Sequence, residues 1–184
     1  MKRLFAALLL TITLCGCGTG GGTAIEDTGG TADKIRKAYA RPYKAECAAA
    51  VVSNKSENAY TFSLDWQSAD NYTLTFDDMT MTVADGQAAL SGGSGAITTK
   101  AAEGILPLLP GAFLERYFAL EIQEIREEDG LLVLEAPVAS PTPYRAAMRL
   151  ALNPGRLTPV RMQVLDAQGK PRMQVDFLDF TFGK

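Results

Sequence analysis

Few side chains in this 184-residue sequence could carry out chemistry, and the residue types that are missing limit the possible kinds of site most strongly. It has cysteines at positions 15, 17 and 47 but no histidine, which excludes a Ser–His or Cys–His nucleophile pair and a histidine-ligated metal. Asp77 with Asp78, and the run from Glu127 to Asp129, leave carboxylate-only hydrolysis and calcium binding open, although neither has the spacing of a calcium loop. Both groups are more typical of solvated turns. The sequence therefore predicts a protein that is not an enzyme and has neither metal nor cofactor.

Cys17 has the clearest predicted role. Lys2 and Arg3 precede an apolar run of 11 residues, too short to cross about 30 Å of hydrocarbon, so residues 1–16 are predicted to be a signal peptide. The run ends in Leu-Cys-Gly-Cys at 14–17, which resembles the bacterial lipobox. The resemblance implies that Cys17 carries lipid, palmitate included, and becomes the first residue of the mature chain. The alternative is an ordinary secreted protein with a stray cysteine.

The net charge of the mature chain does not attract it to a membrane. Residues 17–184 contain 16 basic and 21 acidic side chains, a net charge of −5, which favours neither nucleic acid nor an anionic lipid surface. Two acyl chains, at about 0.8 kcal/mol per buried methylene, would anchor the chain stably. We expect an exported lipoprotein on the outer face of the plasma membrane or on an outer membrane. Cys47 is expected to pack as a small apolar residue, and the alternative is a reactive or intermolecular thiol.

Periodicity divides the rest of the chain into a tether and one domain. Six glycines between Gly18 and Thr31 predict a flexible tether over 17–31, and the folded domain is predicted over 32–184. Asp33 is predicted to cap a short helix over 34–40. From Tyr43 onward the apolar period is two, which is typical of antiparallel strands with one dry face. Strands are predicted in 60–67, 72–76 and 79–83, near Ile97, and over 119–127, 131–138, 143–152, 157–166 and 171–182.

Two features interrupt this alternation. Residues 101–118 are too apolar and too helically spaced for a strand, and Pro107, Pro110 and Gly111 should split them into two short helical pieces. In the last strand the apolar parity changes, which predicts a bulge near Phe177. The expected fold is mainly β (α+β): an antiparallel sheet of about ten strands that curls because strand twist accumulates, with short helices covering its concave face.

The stretch from Leu150 to Lys170, continuing into 175–180, resembles the closing strands of the LolA/LolB-like superfamily of outer-membrane lipoprotein carriers and lipoprotein-sorting proteins. Sigma-factor regulators and the germination lipoprotein GerS belong to the same superfamily, and the chain could be a GerS-like relative. The resemblance implies an incomplete β-barrel whose apolar concave face is lidded by helices. The lipobox of this chain and its polar loops at 68–71 and 77–78 depart from the transfer proteins, which favours a relative that kept the fold.

Two functions fit these observations. The first is a lipid-binding module whose concave face takes acyl chains or lipidated cargo. Its predicted ligand-binding residues are apolar side chains of the sheet and of the helical segment: Phe62, Leu64, Trp66, Leu74, Phe76, Leu106, Leu109, Phe113 and Phe118. The alternative is a non-enzymatic scaffold that binds a cell-envelope enzyme or receptor, and its candidate surface includes the acidic turn from Glu127 to Asp129.

Overall fold

A computed structural model of the chain describes residues 23–25, 28–52, 57–92, 95–100 and 109–184. The predicted signal peptide (1–16), Cys17, the first part of the predicted tether and Leu106 lie outside these residues. Among the helices that are described, none combines the length and the apolar character needed to cross a membrane.

Most described residues belong to one antiparallel sheet of twelve strands, in the order β1-β8-β9-β10-β11-β12-β2-β3-β4-β5-β6-β7. The terminal strands β1 and β7 are not paired with each other, so within the described residues the sheet is open and is not closed into a barrel. The strands are β1 Thr23–Ala24, β2 Tyr43–Val52, β3 Glu57–Ser68, β4 Asn71–Phe76, β5 Met79–Ala84, β6 Gln87–Gly92, β7 Gly95–Lys100, β8 Ile125–Glu128, β9 Leu131–Thr142, β10 Arg145–Leu152, β11 Pro159–Leu165 and β12 Pro171–Phe182.

The strand prediction is confirmed in class and in most positions. Two strands were not predicted, because β1 has only two residues and β6 contains few side chains with high β propensity. The bulge expected near Phe177 is present, since the register between β12 and β2 shifts between Phe177 and Asp179. Turns occupy Asp77 and Asp129, both with positive φ, as the acidic groups there suggested.

Residues 119–124 were wrongly predicted as strand. The strand β8 begins only at Ile125, and Ile122 is 82% exposed. The side-chain amide of Gln123 donates hydrogen bonds to the carbonyl oxygens of Phe118 (3.1 Å) and Leu120 (3.2 Å). These bonds satisfy carbonyl groups left open at the end of the preceding helix, and they hold the segment as a loop.

Two helices lie on the concave face: α1, Thr28–Tyr39, and α2, Pro110–Phe118. The first starts earlier than predicted, and Asp33 is not its cap; it lies within the helix and pairs with Arg36 at 3.2 Å. Burial of Ala32, Ile35 and Tyr39 on one helical face explains the extension, because packing of an apolar face outweighs the low propensity of nearby glycines. In α2, proline opens the helix, where its missing N–H costs no intrahelical bond.

The sheet curls around α2. This helix contacts β9 and β10 and also meets Trp66 of β3, although β3 is several strands away from them in the sheet order. A flat sheet could not bring these strands to one helix. The concave face is therefore the site of the core, and it is dry where the helices cover it.

Asp166, in the turn between β11 and β12, is the one charged side chain among the fully buried described residues. Its carboxylate accepts hydrogen bonds from the backbone N–H groups of Lys170 and Gln168, both at 2.9 Å, and from Arg172 Nε at 2.8 Å. These donors, the Lys170 N–H first among them, lower the pKa of Asp166 below its ordinary value of 3.8.

We expect Asp166→Asn to destabilise the protein at neutral pH and to cost progressively less at acid pH. The stabilisation by a carboxylate whose pKa is depressed on folding is fully present above its unfolded pKa and is lost as pH falls through the folded pKa. Urea unfolding of both proteins between pH 7 and the acid range measures this. Asp176→Asn, which removes an exposed pair with Arg161 (2.6 Å), is the control and should cost less at pH 7. A pH-independent cost of Asp166→Asn would contradict the assignment.

Candidate binding site on the concave face

A row of aromatic side chains crosses four neighbouring strands on the concave face. We call Phe180, Tyr43, Trp66 and Tyr72 the aromatic row. Tyr43 stacks between Phe180 (ring centroids 4.9 Å apart) and Trp66 (5.7 Å), and Trp66 stacks in turn on Tyr72 (5.6 Å). Aromatic pairs of this kind contribute about 0.5–1.5 kcal/mol each beyond the burial of area. The row therefore gives the helices a rigid floor.

The helix α2 is fixed on this floor through Gly111. Its backbone N–H donates a hydrogen bond of 3.0 Å to the hydroxyl of Tyr43, and both groups are buried. A Cβ placed on Gly111 would lie 2.4 Å from Cζ2 of Trp66, so only glycine lets the helix approach the indole this closely. Burial is the main cause that raises the pKa of Tyr43, and its hydroxyl stays protonated at physiological pH.

The helix α1 packs against the aromatic row and also against α2. The ring of Tyr39 packs edge-on against Tyr43 (5.8 Å) and Phe182 (5.2 Å). The guanidinium of Arg36 lies 4.6 Å from the ring centroid of Phe118, a cation–π contact between the helices. The two helices and the sheet are thus joined by aromatic contacts.

A cavity of about 290 Å³ remains between the two helices and Trp66, and we call it the inter-helix cavity. Its walls are mostly apolar, whereas Arg36 and Glu115 add two charged groups of opposite sign. The hydroxyl of Tyr39, another lining residue, has no hydrogen-bond partner among the described residues, and burial raises its pKa. The cavity is lined by Arg36, Tyr39, Ala40, Trp66, Gly111, Leu114, Glu115 and Phe118.

The structure distributes the predicted ligand-binding residues between this cavity and the core. Trp66 and Phe118 line the inter-helix cavity. Phe76 is half-buried and lines a separate cavity of about 270 Å³, and Leu106 lies outside the described residues. The remaining five are fully buried in the core: Phe62, Leu64, Leu74, Leu109 and Phe113. A ligand-binding role for these residues stays a prediction.

Sequence reasoning did not find Arg36, Tyr39 or Glu115 as cavity residues. Their places depend on how α1 and α2 pack, which no local pattern encodes. Gly111 did carry a signal, but it was interpreted only as a helix interruption. Its close approach to Trp66 links positions 45 residues apart in the chain, and only the folded sheet shows that link.

The described residues contain no group of three or more acidic, cysteine or histidine side chains that could hold a metal ion. Cys47 is buried, as predicted, and burial raises the pKa of its thiol to about 12, which disfavours the thiolate form. Glu128, expected in a solvated turn, lies in β8 and pairs with Arg149 at 3.5 Å. These groups have structural surroundings, and the inter-helix cavity is the feature that suggests binding.

An open antiparallel half-barrel with two helices on an apolar concave face defines a LolA-like fold. A scan of protein-family models gives no match, and a search of curated proteins gives none either. Solved structures do match.

One of them is the GerS lipoprotein of Clostridioides difficile, solved in complex with the CwlD amidase. GerS is 24% identical to this chain, and the two align with a TM-score of 0.54. The match covers 82% of this chain and 92% of that one. MucB is 15% identical with a TM-score of 0.51, over 89% of this chain and 61% of MucB. A LolA superfamily protein from Nitrosomonas europaea is 11% identical with a TM-score of 0.43, over 83% and 94% of the two chains.

GerS and MucB carry the fold comparison, since both align with TM-scores above 0.5. The resemblance predicted from the sequence, to the superfamily that includes GerS, is therefore confirmed at the level of the fold. At these identities the comparison establishes the fold alone.

We expect Gly111→Ala to destabilise the protein by about 1–3 kcal/mol, because the added methyl group would overlap Trp66 and push α2 off the aromatic row. Gly29→Ala is the matched control: it also places alanine at the second residue of a helix, and nothing lies within 4 Å of the new Cβ. It should be neutral or stabilising by up to about 1 kcal/mol. Urea unfolding followed by Trp66 fluorescence compares the two, and equal effects would rule out the proposed close contact.

Proposed function

We propose that this chain is a non-enzymatic, lipid-anchored protein of the bacterial cell envelope, and that its half-barrel is a scaffold for a protein partner. One observation carries the proposal: the centre of the concave face is filled by the protein's own side chains. Leu64, Leu74, Leu109 and Phe113 are each no more than 2% exposed. A face that is packed in this way has no room for a ligand at its centre, which supports a scaffold function.

Between the two helices and Trp66, the described residues leave too little space for the cargo of a lipoprotein carrier. The inter-helix cavity of about 290 Å³ lies at the lower limit of small-molecule sites, which span about 300–1,000 Å³. It has room for part of one acyl chain, whereas a lipoprotein presents two or three chains on one cysteine. Taking up such cargo would require α2 to leave the aromatic row and break its bond to Tyr43.

The comparison with GerS supports a partner of a definite kind. GerS is a lipoprotein solved in complex with an amidase, and this chain matches 92% of its length. By analogy, we propose an amidase of the cell envelope as the partner and lipidation of Cys17 as the anchor. Such a protein would hold a soluble enzyme near the membrane without reacting itself, which agrees with the absence of histidine from the sequence.

Native mass spectrometry of the chain, extracted gently from its own membrane, tests this proposal. We expect a stoichiometric complex whose added mass equals that of an amidase of the same cell. Cys17→Ser is the control, because it should remove the lipid mass and leave the protein complex intact when the two proteins are mixed. Bare protein, or an adduct of lipid mass alone, would contradict the scaffold function.

A second function, acyl-chain binding, is favoured by the place of Trp66 and Phe118. Both were predicted to bind ligand, and both line the inter-helix cavity, whose apolar walls suit one chain. Arg36 and Glu115 would lie near a polar head group. This alternative needs no movement of α2.

Fluorescence quenching can measure such binding, because Trp66 is the only tryptophan of the chain. If the cavity binds an acyl chain, a fatty acid brominated along its chain should quench Trp66 saturably, because bromine atoms would lie beside the indole. Ala40→Phe, which fills the cavity wall, should weaken quenching at least tenfold, whereas Ala84→Phe on an exposed site of β5 should not. Equal quenching of both variants, or none of the parent, would exclude this site.

A further inference from the structure

An apolar row crosses the concave face from the core to one edge of the sheet. Leu64, Leu74, Met81, Leu90 and Ile97 lie directly opposite one another on β3, β4, β5, β6 and β7. Leu64 and Leu74 are 2% and 1% exposed, while Leu90 is 40% and Ile97 is 67% exposed. We call these five residues the apolar row. It leaves the covered part of the concave face and ends on an exposed side chain at the edge.

The edge strand itself is suited to pairing. Within the described residues, β7 pairs with β6 on one side only. Natural edge strands are blunted by charge, proline, bulges or short length, and β1 at the other edge has only two residues. In contrast, β7 has six residues, pairs with β6 without a register shift, and contains no proline and no charge before Lys100.

Charge is depleted around this edge. Of the 22 residues from Met79 to Lys100 only two are charged, Asp85 and Lys100, against 21% in the whole chain. Depletion of charge marks the cores of protein interfaces. The segment is also neutral, so two copies of it would not repel each other despite the net negative charge of the protein.

We propose that β7 pairs with β7 of a second copy of this chain, antiparallel and about a two-fold axis through Ile97. Side chains that lie opposite each other must share a face, so a self-paired strand is centred on a residue and not between two. Centring on Ile97 places Ile97 opposite its own copy and Ala96 opposite Thr98. The apolar row then continues without a break into the second copy. Centring on Thr98 would place Ile97 opposite Thr99 and end the row.

This register indicates which kind of strand would complete the apolar row. The unfinished row requires a strand with an apolar side chain at one position on one face, and β7 supplies that strand. Self-pairing is isologous, because the same patch is used by both copies, and the assembly therefore closes as a dimer and does not grow into a filament. The dimer joins two half-barrels edge to edge and leaves both inter-helix cavities outside the interface.

Analytical ultracentrifugation of the full chain in mild detergent tests the proposal. We expect a dimer for the parent, a shift of at least tenfold toward monomer for Ile97→Lys, and a dimer for Thr98→Lys, whose side chain lies on the other face. Both positions are exposed, so both variants should unfold in urea as the parent does. A monomeric parent, or a dimer that survives Ile97→Lys, would overturn the proposal.

Disulfide cross-linking tests the register independently. Directly opposite residues of antiparallel strands have Cα atoms about 4.5–5.5 Å apart, within the range of a disulfide. Ile97→Cys should therefore form a covalent dimer above the background of the parent cysteines, and Thr98→Cys should form much less. Preferential cross-linking through Thr98→Cys would contradict pairing centred on Ile97.

Discussion

The contact between Gly111 and the aromatic row is the constraint on which the rest of this structure depends. The missing side chain at Gly111 lets α2 lie against Trp66, and its N–H satisfies the buried hydroxyl of Tyr43. Tyr43 is held in turn between Trp66 and Phe180, on the strands that join the two halves of the sheet. The Gly111 contact thus links three features: the stacking of the aromatic rings, the position of α2 and the curl of the sheet.

This arrangement also separates the interior of the fold from its surface. Among the described residues, the centre of the concave face beneath α2 is a packed core, and the inter-helix cavity lies beside it. The apolar row shows the other consequence: beyond the helices the same face continues to the edge strand uncovered by any described residue. The scaffold function that we propose depends on this packing, because Leu64, Leu74 and Phe113 occupy the centre of the face.

Most of the sheet could be predicted because a sheet with one buried face has an apolar residue at every second position. Even the bulge near Phe177 follows from a change in which positions are apolar. The failures share a physical cause, since each depends on contacts distant in sequence. The start of α1 contradicts the local preference of Gly29 and accompanies the burial of Ala32. Residues 119–124 alternate like a strand, but Gln123 binds the carbonyl groups at the end of α2. The cavity arises where two helices meet, which no local pattern records.

Hydrogen exchange of the backbone amides in α2 tests most directly the claim that this helix is part of the core and not a lid that opens for cargo. Amides that open only with the whole protein exchange with the free energy of global unfolding, whereas a lid exchanges through a cheaper local opening. We expect the amides from Phe113 to Phe118 and those of β2 and β3 to show the same opening free energy. Exchange in α2 that is faster by several kcal/mol of opening free energy, with β2 and β3 still protected, would contradict it.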